Sequence, residues 1–268
     1  ETRQLKLYIT CGLFTALSTT AVILRFVSRR LVRIKWHRDD TLMLLSWISF
    51  IAYACTTIAD VRFGGVGLHQ ARIVQNEPGM LQFWAKYLLA LVYLYLICVV
   101  LPKLAILSMY LSIFGACRVF QIICYVTGAM VIANFLAAAG AGFAICTPLN
   151  YLWDKTIDGH FIDINAWFRW ARLVNVLSDG VLLILPILYI VRLQMEVRVK
   201  LGLLVTFFIG GLGLLATILT ITAISNTDAI NDNTWTGAEI MFWSVVETGT
   251  YVVAPCLVCY KPLVKAVW

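Results

Sequence analysis

Long apolar runs separated by short polar stretches organise this chain. Seven runs stand out, at about 5–27, 41–62, 82–114, 119–145, 167–191, 201–224 and 238–260. A helix needs roughly 20 largely apolar residues to cross the hydrocarbon of a bilayer, and each run reaches that length. The third is the longest and is expected to project beyond the membrane. No soluble segment, low-complexity linker or internal repeat interrupts the series. The pattern therefore predicts an all-α membrane protein, with residues 1–268 forming a single seven-helix transmembrane domain.

Composition strengthens that reading. Of 268 residues, 61% are hydrophobic and 13% charged, with a mean hydropathy of +0.87. Soluble domains carry about 25% charged and about 45–50% apolar residues. A water-soluble fold of this size has no core large enough to hide so much apolar surface. The chain opens on ETRQLKLYIT with no cleavable leader pattern. Its lack of an initiator methionine is expected to reflect trimmed ends.

The formal charge of +7 points to membrane orientation and away from nucleic acid. The basic residues sit in short stretches between runs, without the aromatic-interleaved basic face of single-strand binders. Lysine and arginine in short loops favour the cytoplasm. The stretch SRRLVRIKWHRDD carries Arg29, Arg30, Arg33, Lys35 and Arg38; Arg118, Arg192, Arg198, Lys200, Lys261 and Lys265 occupy loops of the same parity. The opposite loops carry Asp154, Asp158, Asp163, Asp228, Asp232 and Glu239. The N-terminus is thus expected outside or in the lumen and the C-terminus in the cytosol, in the endoplasmic reticulum or the plasma membrane. Trp84, Trp153, Trp167, Trp170, Trp235 and Trp243 gather toward the outer side, as an interfacial aromatic belt does; lining a vestibule is the alternative for some of them.

Ionisable side chains within spans face the bundle interior and are candidates for function. Asp60, Lys103, Asn134, Asp179 and Glu247 are the polar positions singled out here. Lys103 follows Pro102, some 16 Å from the cytoplasmic end of the third run at ~1.5 Å per residue, and Asp179 lies midway along the fifth. The two can meet near the midplane, either as a fixed ion pair or as the border of a cavity. Asn175, Ser178 and Asp179 of NVLSD share one helix face by their i, i+3, i+4 spacing. Glu247 lies deep in the seventh run, where desolvation disfavours a lone carboxylate and suits either a proton donor or a neutral interhelical hydrogen bond. Asp60 is expected near the outer surface in a partly solvated pair with Arg62. Asn134, above Gly140 and Gly142, reads as close helix packing with a polar bond.

Other patterns carry less. FGGVGLH (63–69) follows a membrane helix, where a dinucleotide cradle needs a strand. His69, His160, Asp158 and Asp163 lie on outer loops without a spacing that demands a metal. The eight cysteines lie mostly inside apolar runs and form neither a disulfide framework nor a complete zinc-ligand set. No metal and no cofactor is expected.

In order and spacing, the chain resembles the fungal rhodopsin-like seven-helix domain across nearly its full length. The matching pieces are HRDD before the second run, FGGVGLH, PKLAILSMYLSIF, CTPLNYLWD, NVLSDGVLLILPI and WSVVETGTYVVAPCLVCYKPL. That family includes receptor-like proteins of plant-pathogenic fungi and membrane proteins of secondary-metabolite clusters, satratoxin-type clusters among them. The resemblance marks Asp40, Gly65, His69, Lys103, Cys146, Pro148, Trp153, Asn175, Asp179, Pro186 and Glu247. It also implies a departure: relatives often place a second cysteine where this chain has Phe161, so a disulfide to Cys146 is expected to be lost. Retinal proteins attach their chromophore to a lysine deep in the last helix, and here that run carries only Lys261 at its end.

Two functions fit. One is a membrane-embedded, cofactor-independent cyclase or isomerase acting on a lipophilic secondary-metabolite intermediate. Glu247 would be its acid, Asp179 its base, and Lys103 the group that keeps Asp179 ionised; paired carboxyl groups in unlike environments divide such roles. Asp60, His69, Asn134, Asn175, Ser178 and Trp243 are the candidate ligand-facing residues. The other is a receptor that senses a small hydrophobic ligand and engages a G protein. Against the second stand the short inner loops GACRVF and RLQMEVRVK and the absence of DRY and NPxxY motifs. A transporter is disfavoured by the lack of repeats. The expected partners are a lipophilic small molecule and membrane lipid.

Overall fold

A computed structural model describes residues 2–31, 33, 36–76, 79–114, 117–152, 158, 160–161, 164–192, 197–226, 233–257 and 260. Lys35, Trp153, Asp154, Asp163, Asp228, Asp232, Cys259, Lys261 and Lys265, on which part of the sequence reading rests, lie outside the described residues. The side chains of Arg192, Arg198 and Lys200 lie outside them too.

The apolar runs are helices: all begin before the expected starts, the first, second, fifth and sixth also run past the expected ends, the third ends where expected, and the fourth and seventh stop two and three residues short. They are α1 (Gln4–Leu31), α2 (Arg38–Phe63), α4 (Gly79–Phe114), α5 (Arg118–Phe143), α6 (Ile164–Arg192), α7 (Val197–Asn226) and α8 (Asn233–Leu257). A short helix, α3 (Gln70–Asn76), stands between α2 and α4; its polar QARIVQN carries no hydropathy signal. Among the described residues, six helices are long and apolar enough to cross a membrane, and α7 contributes an apolar stretch, Phe208–Ala223.

Local chemistry sets the ends. Asp39 and Asp40 occupy the first turn of α2, where carboxylates complement the helix dipole, and Asp40 Oδ2 accepts from the His37 backbone N–H at 3.2 Å. After α2 the chain turns through Gly65 and Gly67, at φ +70° and +88°, conformations that favour glycine. This FGGVGLH turn is a structural fastening. Gly67 N–H donates to Thr234 O, Arg3 N–H to Gly67 O, and Gln4 Nε2 to both Val61 O and Val66 O. It ties the N-terminal segment to the start of α8. Between α5 and α6, β1 (Cys146–Thr147) pairs antiparallel with β2 (His160–Phe161), and Phe161 stands directly opposite Cys146.

The long helices neighbour one another in a closed ring, α1–α2–α4–α5–α6–α7–α8 and back to α1, and α4 also meets α6 and α8 across the middle. In the apolar window of α8, 67% of residues are buried, against 22% in α5, so α8 is more enclosed than α5. One apolar cluster joins α1, α2, α4 and α8 around Phe50, Met43 and Val245, and a second joins α4, α5 and α6 around Leu107, Phe120 and Leu185. Outward faces are apolar, with Leu13, Leu17, Val126, Leu136, Leu212 and Leu215 exposed. Charge is turned inward, with Arg25, Lys103, Arg172, Asp179 and Glu247 buried. Apolar outside and polar inside is the arrangement of an integral membrane protein.

Candidate functional site: a neutral ionic network against an apolar cavity

Three helix faces supply the central network. Tyr95 and Lys103 lie on one face of α4; Arg172, Asn175, Ser178 and Asp179 on one of α6; and Ser244, Glu247 and Tyr251 on one of α8, all by helical spacing. Because α4 meets both α6 and α8 inside the ring, and side chains of α6 reach Glu247 of α8, these stripes converge.

Lys103 Nζ lies 2.8 Å from Asp179 Oδ1, donates to Ser178 Oγ at 2.8 Å, and donates to Asn175 Oδ1. An ammonium has three donors, and each has an acceptor here. The other Asp179 oxygen accepts from the Tyr251 hydroxyl. Lys103 is 1% exposed, so removing Asp179 alone would strand a charge at a cost of about 3–5 kcal/mol.

A second pair is interlocked with the first. Arg172 Nη1 meets Glu247 Oε2 at 3.0 Å and its Nη2 donates to Ser244 Oγ at 3.2 Å. The guanidinium carbon stands 4.5 Å from the centre of the Tyr95 ring, a stacked cation–π contact. Glu247 Oε1 accepts from Tyr95 and from Asn175 Nδ2, both at 2.9 Å, and from Tyr251 at 3.4 Å. Asn175 bridges the two pairs, accepting from Lys103 and donating to Glu247. Glu247 thus stands in the structure as an ion-paired acceptor surrounded by donors, where the sequence suggested a solitary acid.

Beside this network lies a cavity of ≈ 300 Å³ between α4, α5, α6 and α8, at the low end of ligand-pocket volumes. Its polar wall is Tyr53, Tyr95, Arg172, Asn175, Ser178 and Ser244, while Leu88, Val92, Val131, Phe135 and Ile240 belong to the apolar remainder. Trp84, Trp167 and Thr236 line it toward the N-terminal ends of α4, α6 and α8. Lys103, Asp179 and Glu247 do not line it; they stand behind Asn175, Ser178 and Tyr95.

The remaining sequence candidates divide. Asn134 lines the cavity and donates through Nδ2 to Ala171 O at 3.4 Å, joining α5 to α6. His69 is away from it, stacked on Trp235 with ring centres 4.1 Å apart. Trp243 is also away, packed edge-on to Phe242 at 4.9 Å. Asp60 corrects an expectation: it is 0% exposed, neither oxygen has a hydrogen-bond partner, and Arg62 is exposed. The glycine turn and the N-terminal segment fold over the end of α2 and exclude the water that would have solvated it. A Cβ at Gly64 would fall 2.1 Å from Asp60 Oδ1, so only glycine fits there.

Reading by sequence missed Arg172, Tyr95, Ser244 and Tyr251. The signal was present in the spacing: Arg172 precedes Asn175 by three and Asp179 by seven, and Ser244, Glu247 and Tyr251 repeat the same interval. It also missed a second buried cluster, where α1, α2 and α8 meet. Arg25 Nη2 lies 2.6 Å from Asp39 Oδ2 and 3.3 Å from Asp40 Oδ1, and its Nη1 donates to Pro255 O at 3.0 Å. Arg29 pairs with both carboxylates as well.

Comparison with known proteins agrees in family and leaves function broader. The fungal rhodopsin domain matches residues 24–266. The chain is 31% identical to the polyenoic acids biosynthesis gene cluster protein Ba17b of Metarhizium anisopliae, over 98% of this chain and 74% of that protein. It is 34% identical to a SAT4 family membrane protein of Emericella nidulans, over 63% of this chain and 44% of that protein. It is 25% identical to the receptor GIN3 of Arthrobotrys oligospora, over 87% of this chain and 56% of that protein. No solved structure matches the chain.

Proposed function

The chain belongs to the fungal rhodopsin domain family, and on that premise we propose that it is a membrane-embedded, cofactor-independent isomerase or cyclase acting on a lipophilic metabolite intermediate. In this reading the seven long helices all span the bilayer, with the N-terminus outside or lumenal and the C-terminus cytosolic. The basic residues of SRRLVRIKWHRDD and the acidic Glu239 on the opposite side support that direction. The similarity to a biosynthesis cluster protein over nearly the whole chain supports the class.

The observation that carries the chemistry is Tyr95, which lines the cavity and donates its hydroxyl proton to Glu247. Its oxygen can take a proton from a substrate carbon beside a carbonyl while its own proton passes to Glu247. The negative charge left on the substrate oxygen develops next to Arg172, which also lines the cavity. As Glu247 gains the proton, Arg172 loses its counter-charge at the moment the substrate oxygen acquires one. The attraction is therefore strongest in the transition state, which is the condition for catalysis. Returning the proton to a different carbon isomerises the substrate; attack by the enolate carbon on a second carbonyl carbon closes a ring, the C=O π electrons passing to that oxygen, which takes the proton back from Glu247 through Tyr95. Asp179 and Lys103 hold Asn175 and Ser178 in place behind this wall and act as positioning residues.

The test is a metabolite comparison in the host that encodes the chain. Deleting the gene should remove one product and accumulate its isomeric precursor, and restoring the wild-type gene should reverse both changes. Tyr95→Phe and Glu247→Gln should each fail to restore the product while the protein remains folded in membranes. Restoration by both variants excludes this route.

The similarity to a receptor supports a second reading, in which the same cavity binds a hydrophobic signal and a G protein is engaged inside. Ligand-dependent recruitment of a G-protein α subunit by the full-length protein is its measurement, and absence of recruitment counts against it.

A further inference from the structure

The ionic network of which the cavity's polar wall is the front carries balanced charge. Two cations, Lys103 and Arg172, face two anions, Asp179 and Glu247, and each is within 3.0 Å of its partner. A further buried carboxyl, Asp60, does not line the cavity, makes no ion pair among the described residues, and neither of its oxygens is hydrogen-bonded. Of the cations toward the helix N-termini, Arg3 is paired with Glu239, Lys6 lies over the Phe242 ring at 3.8 Å, and Lys86 is exposed; none of the three lines the cavity. No uncommitted positive charge is therefore presented to a ligand among the described residues.

Hydrogen-bond donors, in contrast, remain. Arginine has five N–H groups, and two of those on Arg172 have protein acceptors, Glu247 and Ser244. Tyr53 and Ser244 add hydroxyl groups to the same wall. The rest of the cavity is aliphatic and aromatic. Burying an unpaired charge there costs far more than burying a hydrogen-bonded neutral oxygen.

We infer that the cavity selects an uncharged lipophilic molecule with an acceptor oxygen, a carbonyl or ester, seated at Arg172 and Ser244, and that it rejects the corresponding carboxylate. This substrate class rests on the isomerase or cyclase reading for its biological meaning, but its binding can be measured without turnover. A substrate made as an acid would have to arrive esterified, as an amide or as a lactone, so the reaction that supplies it ends in such a masking step.

The experiment uses the full chain in lipid nanodiscs at about pH 8, where a free carboxyl is ionised. The probes are methyl decanoate, decanol and decanoate, compared at equal mole fraction in the bilayer. Trp84 and Trp167 line the cavity, so quenching of tryptophan fluorescence reports occupancy. Specific binding is the part lost in Val131→Trp, which fills the cavity, with Ala138→Phe as a second filler should the first not fold. The expected result is saturable quenching by methyl decanoate, at least tenfold weaker quenching by decanoate, and several-fold weaker ester binding by Ser244→Ala. Decanoate binding as tightly as the ester, or no difference between wild type and both filled variants, overturns the inference. Ester binding with no metabolic change on gene deletion would instead remove the isomerase reading and leave the ligand class standing.

Discussion

Two buried clusters in this protein have the same charge inventory and different surroundings. The end cluster joins Arg25 and Arg29 of α1 to Asp39 and Asp40 of α2, and Arg25 also caps the carbonyl of Pro255 in α8. The central cluster joins Lys103 of α4 and Arg172 of α6 to Asp179 of α6 and Glu247 of α8. Each sums to zero charge. In the end cluster each carboxylate is bridged by both guanidinium groups, and none of its four residues lines the cavity described above. In the central cluster the ions are interleaved with Tyr95, Asn175, Ser178, Ser244 and Tyr251, several of which line a cavity. An ionisable residue inside a membrane bundle is thus no mark of function by itself. Hydroxyl and amide groups that connect it to open space are what distinguish the second cluster.

Substitutions should separate the two. The largest loss of stability is expected from Arg25→Met, which leaves two buried carboxylates with only Arg29 and frees the Pro255 carbonyl. About 3–5 kcal/mol should be lost, read as a lowered unfolding midpoint in detergent titration, with cavity binding intact in the fraction that stays folded. Lys103→Met should lose a comparable amount by stranding Asp179, but here ligand binding should fall too, because Asn175 and Ser178 lose their anchor. The double variant Lys103→Met, Asp179→Leu should recover most of that stability, since replacing a whole buried pair by apolar groups is close to neutral. A double variant less stable than either single one contradicts the pairing.

Smaller effects sharpen the contrast. Tyr95→Phe removes one hydrogen bond to Glu247, which already accepts from Arg172 and Asn175, so about 1 kcal/mol of stability is expected to go. Asp60→Asn should change stability least, or raise it, because a buried carboxyl without partners gives way to a neutral group of equal size. A loss above about 2 kcal/mol there would indicate that Asp60 has a partner after all.

How much of this was legible in the sequence differs by kind of residue. The helices follow directly from hydropathy, and the depth of Lys103 and Asp179 from counting along them. NVLSD placed Asn175, Ser178 and Asp179 on one face, and that face does border the cavity. Arg172 was hidden because it stands near the start of its run among Trp167 and Trp170, where a basic residue reads as an interfacial anchor. Tyr95 and Tyr251 carry no charge and merge with apolar neighbours, although their hydroxyl groups complete the network. Arg25 was passed over for the same reason as Arg172, lying beside a basic loop. Asp60 was misjudged because distance from a helix end says nothing of what folds over that end. In each case the missing information is helix rotation or loop packing, which hydropathy leaves undetermined.

Proton passage between the cavity and Glu247 through Tyr95 is read out by product formation by Tyr95→Phe in the gene-deleted host, normalised to folded protein in the membrane. A general acid–base group contributes about 10²–10⁴-fold, so at least a hundredfold loss of product is expected alongside a near-native unfolding midpoint. Product restored to within a few-fold of wild type by that variant would contradict it.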